Sequence, residues 1–507
     1  MTSRARRFLV VSAGLCLLFT GVPVSGHAVA ARPIVVNTTS NENNKDGDCS
    51  LREAISSANT DSRYDACTAG SGADTILLPK GRFKLDSLLT VAHPLTIVGA
   101  GRLRTVIDAD QSDRVLSMGR TDLTLERLRV TGGKANSDGG GILDSGGSLT
   151  LVDASVTDSR ASGNGGGVAA TNGGDVHAVR SIISGNVAGG GGGGISAAGG
   201  SGDTAGVSLV ESTIANNTSD TAQGSTQGGG GVHLFHASAL STVRSTIDGN
   251  HGNLGGGIAN ESRVKILNST IVDNTAAGSN SRGGGVYSTG SVMVTNSTFD
   301  ANRAGTGGNL FVDSGSSSFR NSLVGPAADG GNCGGDDPAD DGGNLEQGPN
   351  GGACGFDLVD IGLGPLADNG GPTRTEAIGH GSPAVDSARA AACPRSDQRG
   401  VPRQGSSCDS GAYELTDCFG VPVDVVGTEG RDRIRGSAGP DSILGLGGND
   451  RILGRGADDD ICGGAGDDIL SGAEGADRLD GSDGRDICDG GPANDKFVSC
   501  EDRRGLP

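Results

Sequence analysis

Between Gly427 and Val498 one nine-residue unit is repeated eight times without a break. Each unit opens with glycine, from Gly427 through Gly490, and carries aspartate at its sixth place: Asp432, Asp441, Asp450, Asp459, Asp468, Asp477, Asp486 and Asp495. Two places after each aspartate stands an apolar residue, in order Ile434, Ile443, Ile452, Ile461, Leu470, Leu479, Cys488 and Phe497. Glycine permits the tight turn, the apolar side chain faces inward from a short strand, and the aspartate presents a carboxylate at the loop edge. Calcium takes roughly six to eight oxygens, so one aspartate per loop must be joined by loop carbonyls and by the loop stacked next to it. A disordered Gly/Asp-rich tail would have no reason to keep an apolar residue in fixed phase with the acid. The pattern predicts a parallel β-roll that binds several calcium ions, with the eight aspartates as metal ligands and two units to a turn.

A longer, looser repeat fills the middle of the chain. Glycine triplets leading into an aliphatic residue end at Ile142, Val168, Ile195, Val232, Ile258 and Val286, at intervals of 26, 27, 37, 26 and 28 residues. The long interval carries an insertion around 218–227. A second marker keeps the same phase: Ser181-Ile182-Ile183 to Asn186, Ser212-Thr213-Ile214 to Asn217, Ser245-Thr246-Ile247 to Asn250, Ser269-Thr270-Ile271 to Asn274 and Ser297-Thr298-Phe299 to Asn302. Three short strands per period of this length make a coil of a right-handed parallel β-helix. Aliphatics at one phase then stack into an interior column. Asparagine tolerates the left-handed bend and can bond its copy one coil away, so these residues read as a structural ladder.

With no Trp, three Tyr and 93 Gly in 507 residues, the chain lacks the aromatics of a compact globular enzyme, but a stacked solenoid does not need them. The net charge of −20 argues against nucleic acid or an anionic membrane as partners. Half of it lies from Asp417 onward, with 20 acidic against 10 basic residues. Arg4, Arg6 and Arg7, the apolar run Phe8 to Phe19, and Ala28-Val29-Ala30 form an export signal with its cleavage site. No later stretch approaches the length of a transmembrane helix. Setting aside Cys16 in that signal leaves ten cysteines, an even number that favours disulfides in an exported protein. Neighbours in sequence pair Cys49 with Cys67, Cys333 with Cys354 and Cys393 with Cys408. Cys418, Cys462, Cys488 and Cys500 then pair among themselves in an order left open.

Ser50 as N-cap with Glu53 three places on makes a capping box, and Leu51, Ala54, Ile55 and Ala58 line one face of a short helix that covers the first coil. The run Cys49-Ser50-Leu51-Arg52-Glu53-Ala54-Ile55 resembles the CSLREA motif of exported bacterial β-helix proteins. Gly364 to Thr373, Gly381 to Asp386, Asp397 to Gly400 and Cys408 to Glu414 resemble the choice-of-anchor Q domain, which in that family follows β-helix coils and precedes surface-anchoring tails. The nonapeptides resemble hemolysin-type calcium-binding repeats. These resemblances imply an extracellular protein and carry no established catalytic residue.

β-helices also host pectin-cleaving enzymes, which need carboxylates close together on adjacent coils. Asp248 and Asp300 occupy equivalent places, with Val272 between them. Gly379-His380-Gly381 copies a polygalacturonase tripeptide without its acidic partners, and His177, His233 and His236 have no visible carboxylate constellation. Asp336, Asp337, Asp340 and Asp341 read as a solvated loop. The expected protein is an all-β solenoid: a signal peptide over 1–30, an N-terminal cap over 31–72, a right-handed parallel β-helix over 73–325, a small disulfide-stapled connector over 326–416 and a calcium β-roll over 427–498. The expected function is a secreted, non-catalytic, calcium-binding and adhesin-like contact with surface glycans or proteins. A polysaccharide lyase or glycoside hydrolase is the alternative.

Overall fold

A strand with one apolar face buries it by stacking on the next copy, and a chain of such copies winds into a solenoid. The computed structural model describes residues 32–200, 202–220, 228–348, 353–403, 408–428 and 430–504. The expected export signal and part of the insertion near 218–227 lie outside the described residues. Three long parallel sheets of twelve, twelve and ten strands run along a β-helix, with a fourth of six short strands. One coil reads Ile142–Ser145, Ser148–Val152, Ser155–Thr157 and Arg160–Ala161 before the next glycine triplet. The marker aliphatics stack in register, Ile142 on Val168, Ile195, Val232, Ile258 and Val286, and none is exposed. The glycines let the coils close up: a Cβ on Gly141, Gly194 or Gly257 would lie 2.7 Å from the third-glycine carbonyl of the following coil.

The asparagine ladder forms, and each amide feeds the next. Asn186, Asn217, Asn250 and Asn274 donate Nδ2 to the Oδ1 of Asn217, Asn250, Asn274 and Asn302 at 2.9–3.0 Å. The left-handed bend, however, falls one residue earlier than expected. Gly185, Asn216, Gly249, Asp273 and Ala301 hold positive φ, and the ladder asparagines do not. Bend and ladder are separate tasks, because a side chain buried and bonded in the coil needs a backbone that points it inward.

The helix spans Leu51–Thr60 with the capping box on Ser50 and Glu53, and it buries Leu51, Ala54, Ile55 and Ala58. Ile34–Val35, ahead of the helix, pairs with Ile76–Leu77 as the outermost strand. At the other end the parallel ladders run on past residue 325, through Cys333–Gly335 and Leu345–Glu346 to Asp357–Leu358. The last coils therefore occupy the start of the segment expected to be connector. They lack the glycine-aliphatic marker, which hides them in the sequence. Disulfides join Cys49–Cys67, Cys333–Cys354 and Cys393–Cys408, and the open order resolves to Cys418–Cys462 and Cys488–Cys500.

From about residue 365 the connector lies back along the second twelve-stranded sheet. Thr246, Thr270 and Thr298 stack there in register. Gln398 bonds Thr246 at 2.9 Å and Thr270 at 2.8 Å, and Ala412 N donates to Thr298 at 3.1 Å. Inside the connector Asp397 and Arg399 pair at 2.8 Å with both side chains fully buried. Beyond it two five-stranded parallel sheets form the roll.

Candidate metal centre

Strand registers in the roll step by 18 residues, so two nonapeptides make one coil. Ile443, Ile461, Leu479 and Phe497 stack on one wall, and Ile434, Ile452, Leu470 and Cys488 on the other. The aspartates therefore form two columns, Asp432–Asp450–Asp468–Asp486 along one edge and Asp441–Asp459–Asp477–Asp495 along the other. Within each column the Oδ1 of one aspartate accepts the backbone N–H of the aspartate a coil before it. The distances are 2.7 Å for Asp432 N to Asp450, 2.8 Å for Asp450 to Asp468 and 2.8 Å for Asp468 to Asp486. The other edge repeats the bond at 2.9 Å each time.

The second oxygens divide the eight into two groups. Oδ2 of Asp450, Asp459, Asp468, Asp477, Asp486 and Asp495 is buried and has no hydrogen-bond partner. Asp432 Oδ2 instead accepts Thr428 N and Oγ1, at 2.6 and 2.8 Å, and Asp441 Oδ2 accepts Ser437 N and Oγ, at 2.7 and 3.1 Å. The backbone follows the same division. In the six later units the second residue is left-handed, at Leu446, Arg455, Gly464, Ala473, Ser482 and Gly491, but Thr428 and Ser437 are not. Ser482 also carries a hydroxyl at the second place, but its backbone is left-handed and the Oδ2 of Asp486 stays bare, so the tie at Thr428 and Ser437 needs the backbone conformation as well as the hydroxyl.

The first glycine of each unit sits against its own acid. A Cβ on Gly445 would lie 2.6 Å from Asp450 Oδ2, and at Gly454, Gly463, Gly472, Gly481 and Gly490 it would come closer still. Burial pushes Asp459 and Asp468 up to about 6, and the acids one coil away add to the rise. Burial likewise raises Asp450, Asp477 and Asp486. Bare carboxylate oxygens, stacked in columns and costly to ionise alone, fit a hard cation that takes oxygen ligands.

Elsewhere the candidate acids are engaged. Asp248, which is 7 % exposed, ion-pairs with connector residue Arg374 at 2.5 Å. Asp300 abuts connector residue Glu376, and both carboxyls are raised, by burial first. His380 meets Asp417 at 3.1 Å, at the connector surface. Burial lowers His233 to about 4. Asp341 pairs with Arg320 at 3.4 Å, and Asp340 Oδ1 accepts Gly342 N at 2.7 Å. Among the described residues, one other group of acids lies close together: Glu42, Asp46 and Asp48, each partly or fully exposed, with ligand atoms within 4.8 Å of one another. No helix among them is long and apolar enough to cross a membrane.

Residues 426–461 and residues 463–497 each match the family described as RTX calcium-binding nonapeptide repeat (4 copies), which indicates calcium binding by this region. No curated protein matches the chain. Among solved structures the chain is similar to pectate lyase Pel9A, at 15% identity and a TM-score of 0.48, over 76% of this chain and 97% of that one. It is also similar to the PL6 family alginate lyase AlyGC, at 12% identity and a TM-score of 0.26, over 84% and 74%.

Proposed function

We propose that this is an exported, non-catalytic contact protein, adhesin-like, whose β-helix presents a surface to glycans or proteins and whose roll is set by several calcium ions. The six buried aspartate oxygens without a partner, repeated at one register, carry the calcium assignment. Asp450, Asp459, Asp468, Asp477, Asp486 and Asp495 are the principal ligands, and Asp432 and Asp441 open the two columns. Export is supported by the basic-apolar N-terminal segment and by five disulfides. The CSLREA-like and choice-of-anchor Q-like segments point the same way. A non-catalytic β-helix is supported by the connector, which occupies the face carrying Asp248 and Asp300.

One observation favours the lyase or hydrolase reading. An open groove of about 850 Å³ is lined by Arg120, Asp122, Asn172, Asp175 and Asp203, a set of polar groups suited to the hydroxyls of a sugar. The full chain in calcium, offered a panel of acidic glycans, tests both readings. Retention without release of reducing ends or unsaturated products is the expected result. Turnover that disappears in Asp122→Asn or Asp175→Asn would replace it with the enzyme.

A further inference from the structure

We propose that Glu501 is a calcium ligand. It closes the first aspartate column and, with Asp486, completes one ion site beyond the nonapeptide pattern. The inference rests on the calcium reading of the roll. Continuing the nine-residue register places the next unit's glycine at 499 and its aspartate at 504, where the chain has Ser499 and Arg504. By sequence the repeat has ended.

The structure continues it. Asp486 N donates to Glu501 Oε2 at 2.7 Å, the bond that every earlier aspartate in the column makes to the acid one coil on. Strand pairing places Glu501 in the same register. The residue after each acid stacks on its copy, Ile469 on Ile487 and then Ile487 on Asp502. The carbonyl column also persists. A Cβ on Gly463 would meet Gly481 O at 2.9 Å, and at Gly481 it would meet Ser499 O. The last loop is therefore three residues shorter than its predecessors, and a side chain one methylene longer than aspartate reaches the same place. Cys500, next to Glu501, is disulfide-bonded to Cys488 and fixes the shortened loop to the coil beneath.

A ligand is called for there by Asp486, which is 1 % exposed and whose Oδ2 has no partner. Without Glu501 the column would end on an acid with a neighbour on one side only. Arg504 does not fill the role: it pairs with Asp502 at 3.0 Å. Among the described residues no acid follows Asp495 in this way.

The test counts calcium ions bound to the intact, disulfide-bonded chain by equilibrium dialysis. Glu501→Gln should lose one ion relative to the unaltered chain, Asp502→Asn none, and Glu501→Asp should keep the count with a weaker last site. A second readout guards against local unfolding in Glu501→Gln: calcium should slow reduction of Cys488–Cys500 in the unaltered chain and in Glu501→Asp, but not in Glu501→Gln. An unchanged count together with unchanged protection in Glu501→Gln overturns the proposal while leaving the roll's calcium sites in place. A chain that binds no calcium at all would instead remove the roll reading on which it stands.

Discussion

Both solenoids contain columns of stacked polar side chains, amides from Asn186 to Asn302 in the β-helix and acids in the roll. Asn250 donates Nδ2 to Asn274 Oδ1 and to Ile214 O, both at 2.9 Å, and its Oδ1 accepts from Asn217. An amide carries donor and acceptor together, so a column of them closes on itself without charge. An ionised carboxylate only accepts. Asp468 takes one N–H on Oδ1 and leaves Oδ2 bare beside the acids above and below it. The β-helix also wraps continuous aliphatic columns, whereas the interior cluster of the roll is small: Ile443, Ile452, Ile461, Leu470, Leu479, Cys488 and Cys500. One exchange of NH2 for O separates a self-sufficient solenoid from one that waits for a cation.

The largest effect expected from this contrast is on chelation. In EDTA the full chain should lose protease resistance across the roll and keep a resistant core containing the β-helix and its connector. Fragments separated after reduction report the result. Equal digestion of both parts would erase the distinction. The exchange itself is next in size. Asn250→Asp puts an uncompensated buried charge into the amide ladder and should destabilise the β-helix by about 3–5 kcal/mol, measured by denaturant unfolding. Asp468→Asn should do the reverse in the roll, weakening calcium binding while slowing digestion in EDTA.

A smaller effect grades the roll along its length. Asp468 has an acid on each side in its column, and Asp432 has one neighbour and a second oxygen already tied to Thr428. Calcium midpoints for extracellular modules fall around 10⁻⁴–10⁻³ M. Asp468→Ala should shift the midpoint further than Asp432→Ala, and a titration followed by circular dichroism measures both. Equal shifts would contradict the stacked-column geometry.

The smallest effect is on pH. Asp300, pushed from 3.8 to about 6, and Glu376, pushed well above its usual value, hold protons in the folded chain that the unfolded chain gives up. Stability from this pair is fully present below about pH 4 and is lost as pH rises through 6 and beyond. Asp144, raised to about 7 by burial, acts in the same direction inside the β-helix. Asp300→Asn should flatten the pH dependence of connector release in alkaline proteolysis, and an unaltered profile would mean that the contact is not held by that pair.

What could be read from the chain alone was whatever repeats, together with local signals such as the Ser50–Glu53 capping box and cysteines close in sequence. The nonapeptide fixed the roll because glycine, acid and aliphatic keep phase. The glycine triplets and the Ser–Asn marker fixed the β-helix columns for the same reason. Reading failed where contacts join distant residues once. Gln398 on Thr246 and Arg374 on Asp248 span more than a hundred residues and leave no period. Cysteine spacing was indifferent between pairings of Cys418, Cys462, Cys488 and Cys500. Glu501 escaped because three missing residues break the count while the backbone restores it. The difference between Asp432 and Asp468 was legible only as one stacked neighbour against two; the tie to Thr428 was not, since Ser482 carries the same hydroxyl and leaves Asp486 bare.

Cys418 lies between the connector and the roll and Cys462 in the fourth unit of the roll, so their bond closes a loop of chain across the junction. Topologically, a roll emptied of calcium cannot pay out as one free strand. The portion before Cys462 stays a closed ring against the β-helix, and only the portion after it becomes a loose end. Closing a ring of this size removes about 4 kcal/mol of chain freedom from the unwound side. Rewinding therefore has a fixed origin. Each coil after Cys462 can be laid on the one before it, so the roll regains its shape from the anchored end outward.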